Sequence, residues 1–308
     1  MFIKSLLLLL SGGRYSSAFH LATSGYRHPS SSLSSYLESL QSSPANGMNN
    51  FVPSAEPLQE VVNNNNNNIY HAPLEYFSFD NLESKGPRAT CDWGTPQDWS
   101  RKLAEDGIFR SGAWYCTPGG WPSPNGKAVT EVFYMLEGHG CLSDADGMRH
   151  YFGPGDMVTI PKGHTGRWDV NSPILKVWAV NAHSNVEERS SPIRVKVDHY
   201  NTFVSSQSSS SLDPLYRSTV DIGSSSNILY DVGSTKVGYW SCSNTGSFPV
   251  SYGTRQWFHV LKGVLFVTTS GGTSRRCIAG DTVMLPAGWS GFIDVVEPTE
   301  KVFCAAAA

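Results

Sequence analysis

The sequence predicts an all-β chain built as two small barrels in tandem, and three observations carry that expectation. Short stretches of alternating bulky and polar residues are cut repeatedly by Gly, Pro and Asp-Gly turn signals. One such stretch, from Glu131 to Val170, recurs further along the chain at a fixed spacing. The 29 Gly and 18 Pro among 308 residues suit a chain made of strands and tight turns.

In order, Gly112 to Cys116 alternates as a strand, and so does Glu131 to Leu136. Asp144-Ala-Asp-Gly147 is a turn signal, Met148 to Phe152 a second short strand, and Gly153-Pro-Gly-Asp156 punctuates before the apolar run Met157 to Pro161. Gly166 to Val170 and Ile174 to Val180 complete the first copy. The recurrence places Gly263 on Gly138, Gly280 on Gly155 and Pro286 on Pro161, each 125 residues on. Gly291, Asp294 and Val295 likewise fall on Gly166, Asp169 and Val170, and Trp240 falls on Trp114 at 126, as one loop residue gained or lost gives. That period is too long for a solenoid repeat and fits two barrels.

Four regions follow. Residues 1–37 hold no Asp or Glu, a short Leu run behind Lys4, and Phe19 after Ser-Ala. They read as a targeting presequence resembling the bipartite plastid presequence of algae with secondary plastids, with mitochondrial or secretory import as alternatives. Residues 38–68, Ser-rich and ending in an Asn tract, read as a disordered linker. Residues 69–200 hold the first barrel with an N-terminal arm packed on it; in that arm Asp98 to Gly107 predicts a short helix capped by Asp98. Ile193 to Tyr200 reads as an outer strand or a crossing to the second copy, residues 205–211 as a Ser-rich connector, and residues 201–304 as the second barrel.

Composition excludes several classes of partner. The net charge is −3 with no basic run in the globular part, so nothing supplies a phosphate-tracking stripe for nucleic acid. No stretch approaches the ~18 apolar residues of a membrane span, so no span is expected after processing. The six Cys show no C-x-x-C spacing and read as buried thiols.

The run Leu136-Glu-Gly138, then Pro154-Gly-Asp156, then Pro161-x-Gly163 resembles the cupin family. The opening Glu131 to Gly138 and the ending Gly166-x-Trp168-x-Val170 look most like the branch holding the ureidoglycine aminohydrolase cupin domain and the ethanolamine-utilisation cupins. The resemblance implies two jelly-roll barrels, a bicupin, and chemistry on a small polar or nitrogen-rich molecule. It also implies a divalent ion held by a His-x-His-x-x-x-Glu run and a later His, since alternate strand residues face one interior. Carried onto the first copy, these positions hold Asn125, Lys127, Glu131 and Gly166; in the second copy they hold Val250, Tyr252, Gln256 and Gly291. The usual metal site is therefore expected to be absent, and a Mn, Fe or Zn ion is expected only if Glu131 and His164 form a displaced one. Otherwise His164 reads as a surface or turn histidine.

Counting by two from Glu131 puts Phe133 and Met135 on its face, while Trp114 and Trp168 face the same interior. Glu131 is thus the candidate acid or base, with Trp114, Phe133, Met135, His164 and Trp168 as pocket residues. Equally open is that the aromatics fill the barrel. In the second copy Gln256 stands with Trp240, Phe258 and Ile293, a face without an ionisable group and so expected to be structural. Three functions remain open: a metal-independent small-molecule binder, a metal-dependent hydrolase of the ureidoglycine aminohydrolase type, and a structural or assembly protein, with a homodimer as a further expectation.

Overall fold

The computed structural model describes residues 67–183, 193–200 and 223–307. The presequence, nearly all of the linker and the Ser-rich connector at 205–211 lie outside the described residues. The first half runs through β1 (Tyr70–Ala72), β2 (Glu83–Pro87), β3 (Trp93–Gly94), β4 (Gln97–Asp106), β5 (Phe109–Cys116), β6 (Gly119–Ser123) and β7 (Thr130–Glu137). It continues with β8 (Gly140–Asp144), β9 (Arg149–Phe152), β10 (Met157–Ile160), β11 (Gly166–Val170), β12 (Ile174–Asn181) and β13 (Lys196–Asp198). The second half holds β14 (Ser224–Val232), β15 (Thr235–Cys242), β16 (Gly246–Ser251), β17 (Arg255–Thr269), β18 (Ser274–Ile278), β19 (Thr282–Leu285) and β20 (Ser290–Ala306).

The strands form two barrels of one design, as the duplicated pattern predicts. In the first, the sheet β13-β10-β7-β12-β5-β4-β2 faces the sheet β3-β6-β11-β8-β9. In the second, β1-β19-β17-β20-β15-β14 forms the large sheet, and β16 and β18 pair the far halves of β20 and β17. The repeated motif glycines sit where strands pass closest. Gly138 and Gly263 have φ of 78° and 83°, and a Cβ on either would lie 1.9 or 2.2 Å from the carbonyl oxygen of Pro173 or Pro298. Only glycine fits there.

Three apolar clusters hold the fold together. One fills the first barrel around Phe133, Leu142, Val158 and Trp168, and another fills the second around Trp240, Phe258, Leu265 and Trp289. The third lies between the barrels, where Ala113, Val132, Met157 and Val177 meet Val237, Trp257, Met284 and Val302. A large sheet buried on both faces needs apolar residues at both parities, which is why Ile174 to Val180 reads as a nearly unbroken apolar run. The opposite parity also holds His259, 1 % exposed, packed 5.1 Å from the Tyr134 ring and bonded to Thr282, with burial pushing its imidazole down to about 3.

Two expectations for the arm are corrected. Asp98 to Gly107 is not a helix but most of β4, paired along its length with β5 and over its first residues with β2. The segment suits either state locally, and sheet pairing decides it. Gly107, at φ 59°, turns the β4–β5 hairpin rather than ending a helix, and Asp98 pairs with Arg88 rather than capping. Nor does the whole arm lie on the first barrel. β1 pairs with β19 in the second barrel, while β13, which precedes the second barrel in the chain, pairs with β10 in the first. Val197 opposes Val158 and His71 opposes Val283, one repeat apart, so each copy lends its leading strand to the other's sheet. The exchange is anchored alike on both sides: His71 bonds Asp281 at 2.9 Å and His199 bonds Asp156 at 2.8 Å.

Leu74, 4 % exposed and packed against Gly280, follows β1 into the second barrel. Leu74→Ala is expected to cost about 2–5 kcal/mol in urea unfolding, with protease cleavage appearing first in the second barrel. Cleavage appearing first in the first barrel would contradict the exchange.

Candidate functional site

Glu131 opens into a cavity of about 400 Å³ in the first barrel, lined also by Arg88, Arg110, Trp114, Lys127, Trp168 and Lys176. Strand register builds it. On β12 the alternate residues Lys176, Trp178 and Val180 face inward, opposite Trp114, Gly112 and Arg110 of β5 and Met135, Phe133 and Glu131 of β7. Trp121 on β6 and Trp168 on β11 close the other side, paired across the strands. Trp168 is the hub of the wall, stacked on Trp121 at 6.0 Å and on Phe133 at 5.9 Å, with Trp114 edge-on at 5.8 Å.

Two ammonium groups hold the Glu131 carboxylate. Lys127 reaches one oxygen at 2.5 Å and Lys176 the other at 2.6 Å. Burial by itself would raise this carboxyl; the two cations, Lys127 foremost, outweigh it and hold it well below the usual carboxylate range. Lys176 is 3 % exposed, and burial pulls it down to about 8 although Glu131 favours its charge. Two cations share one anion here, so one positive charge is in excess, while Arg88 nearby is paired with Asp98. The rings offset part of the cost: the Lys176 ammonium lies 3.9 Å from the Phe133 centroid, 4.6 Å from Trp114 and 4.7 Å from Trp168. Lys127 is fixed by its backbone, which accepts from Gly163 N–H at 2.7 Å and donates to the His164 carbonyl at 3.0 Å.

Glu131, Trp114 and Trp168 therefore meet at the cavity as the sequence predicts. Phe133 lies beneath Lys176, and Met135 is packed into the core without lining the cavity. His164 lines a smaller neighbouring space of about 80 Å³ with Lys127, Asn125 and Trp168. It is not a surface histidine: its amide closes the Pro161 turn at 3.1 Å, but the side chain is 4 % exposed and bonds Asp144 at 3.0 Å. Asp144 also takes His150 at 2.7 Å and the backbone N–H of Val195, tying β13's approach to the barrel end. Sequence reading missed Arg88, Arg110, Trp121, Trp178 and above all Lys176. The signal was present, since Lys176 shares parity with Trp178 and Val180 and recurs 125 residues on as Lys301.

The second barrel corrects the expectation that its inner face lacks an ionisable group. Lys301 is 5 % exposed, with its ammonium 4.2 Å from the Phe258 centroid and 4.8 Å from Trp240. Gln256 and Ile293 are buried there as predicted. The backbone clasp of Lys127 is repeated by Tyr252, which accepts from Gly288 and donates to Trp289. Its side chains differ, however: Tyr252 and Trp289 stand at the places of Lys127 and His164, buried with rings 6.0 Å apart.

The family model for the EutQ-like cupin domain matches residues 103–178 and again 231–303. The chain is a bicupin. Solved structures with the same fold include a protein of unknown function from Pseudomonas syringae pv. tomato, 15 % identical over 77 % of this chain and 99 % of that one, TM-score 0.57. The putative glyoxylate-induced protein of Pseudomonas aeruginosa is 15 % identical over 78 % of this chain and 89 % of that one, TM-score 0.56. A salicylate 1,2-dioxygenase from Pseudoaminobacter salicylatoxidans is 12 % identical over 81 % and 84 %, TM-score 0.56. At such identities the likeness is one of fold. No curated protein matches the sequence.

Cupins often hold a metal, but the residues of this bicupin do not fit one. Both oxygens of Glu131 are engaged by ammonium groups, and Lys127 itself stands at an imidazole position of the family pattern. His164 is turned to Asp144, and among the described residues no three His, Cys, Asp or Glu side chains converge.

Glu131→Gln leaves the buried Lys176 and the half-buried Lys127 without their anion and is expected to destabilise the fold by about 3–5 kcal/mol in urea unfolding. Glu131→Gln with Lys176→Met is expected to recover much of that loss. Because the folded carboxyl lies below its ordinary 4.5, its contribution is complete above that pH and fades as pH falls through the lowered value. The deficit of Glu131→Gln against the parent should accordingly narrow below about pH 4.5; a deficit independent of pH would remove the ion triad as its cause.

Proposed function

We propose that this bicupin binds a small organic anion in the first-barrel cavity, without a metal. Charge at the cavity carries the reading. Four cationic side chains, Arg88, Arg110, Lys127 and Lys176, line it against the single carboxylate of Glu131. Arg88 is committed to Asp98 and lies 4.1 Å over the Trp121 ring, and the two lysines share Glu131. Arg110 makes no side-chain ion pair or hydrogen bond among the described residues. A guanidinium open to a cavity beside indole faces suits a carboxylate carried on a flat or apolar body.

Lys127 at an imidazole position weighs against the metal-dependent hydrolase, because an ammonium repels the cation that the reaction needs. The second barrel, with its aromatic pair at the corresponding mouth, is read as support for the first.

The test is thermal melting with small carboxylates beside their neutral amides. A carboxylate at about 100 times its Kd adds roughly 2.7 kcal/mol to stability, while the amide should add little. Arg110→Gln is expected to weaken the carboxylate about tenfold, as loss of one charge-assisted hydrogen bond of ~1.5 kcal/mol gives. Equal stabilisation by acid and amide would refute the anion reading. Stoichiometric Mn, Fe or Zn retained through dialysis would favour the hydrolase instead.

A further inference from the structure

The anion-binding reading names a charge but leaves one group at the cavity without a task, the buried primary amine of Lys176. We propose, building on that reading, that Lys176 captures the carbonyl carbon of a small oxo acid bound in the first barrel, forming an imine.

Position is the first support. The Lys176 side chain enters the cavity wall between Trp114, Phe133 and Trp168, so its nitrogen is screened from bulk water yet borders a space of about 400 Å³. Amines used to form imines are ones whose charged state is disfavoured by an apolar surround and neighbouring cations, and Lys176 has both, in its three rings and in Lys127 and Arg88. Burial brings it down to about 8, so a useful fraction is neutral at physiological pH. Arg110 faces the same cavity and supplies a partner for the carboxylate end of an oxo acid.

Proton bookkeeping closes with solvent. The Lys176 ammonium gives one proton to water, the free amine adds to the carbonyl carbon, and a proton moves from its nitrogen to the oxygen to give a carbinolamine beside the Glu131 carboxylate, 2.6 Å from that nitrogen. One proton from solvent then reaches the departing hydroxyl, which leaves as water while the nitrogen lone pair closes the C=N bond. Ammonium and ketone have then become iminium and water, with no oxidant or further reactant, and the iminium faces the Glu131 carboxylate that faced the ammonium.

The duplication provides an internal control. Lys301 has the same place in the second barrel and the same kind of aromatic contacts. The residue in the place of Glu131 is Gln256, an amide, and Tyr252 and Trp289 are packed in the places of Lys127 and His164. Aromatic enclosure alone therefore does not distinguish the two lysines; the Glu131 carboxylate and the side chains at the places of Tyr252 and Trp289 do.

The experiment is reductive trapping of the full chain with cyanoborohydride at pH 7.5, using pyruvate and 4-oxopentanoate as probes, read by intact mass and peptide mapping. One reduced adduct per chain is expected, on Lys176 and not on Lys301. Its rate should exceed that of exposed lysines such as Lys85 and Lys102 on the order of 100-fold, following the neutral-amine fraction. Lys176→Arg, which keeps the charge on Glu131, should abolish it. No adduct, labelling spread evenly over surface lysines, or undiminished labelling of Lys176→Arg would overturn the proposal. Lactate separates the two readings: melting stabilised by lactate without a pyruvate adduct sinks the imine and spares anion binding, whereas neither effect sinks both.

Discussion

The two large sheets of this bicupin lie face to face, and everything else is arranged around that contact. Each sheet is a wall of its own barrel on one side and of the shared apolar layer on the other. Strands buried on both faces give up the usual alternation of apolar and polar residues, and their backbone can bond only within the sheet. The exchanged strands β1 and β13 extend the same two sheets at matching registers. Each barrel thus has part of its large sheet supplied from beyond its own repeat, and separating the halves would expose the central layer and two strand edges together.

Within that frame the two interiors have diverged while keeping one cation. Lys176 and Lys301 occupy equivalent positions over equivalent rings, so the lysine belongs to the shared design and the carboxylate to one copy alone. Glu131 in one barrel and Gln256 in the other is a difference of one atom with a large electrostatic effect. It gives the first barrel an ion triad on a cavity wall, where the second has a buried amide. Tyr252 and Trp289 complete the difference by placing rings where the first copy has Lys127 and His164. The backbone clasp beneath is the same in both, so the distinction rests on side chains alone.

A further contrast concerns histidine. His164, His150 and Asp144 form a buried cluster that also receives the Val195 amide. Burial raises the Asp144 carboxyl, and the hydrogen bonds from His150, Val195 and His164 more than offset it, leaving it below its ordinary range. These imidazoles hold Asp144, whose carboxylate in turn accepts from the segment entering β13. A histidine close in sequence to a motif is therefore no guide to its task, because its partner Asp144 lies elsewhere in the chain, on β8, and is shared with the segment entering β13.

The sequence by itself determined the duplicated β architecture, since glycine and proline at close approaches act locally: Gly138 and Gly263 are required by a carbonyl within touching distance of any Cβ. It also determined the inward set of Glu131, Phe133, Trp114 and Trp168, because strand parity is a property of the chain. Tertiary structure alone decided that Asp98 to Gly107 is a strand, as its pairing partners lie outside the segment. It alone decided that β1 serves the second barrel, and that Glu131 is shared by two lysines, one of them 45 residues away. Charge and partner are non-local quantities: a lysine in a strand reads as a solvated group until the opposing walls are in place to take the water away.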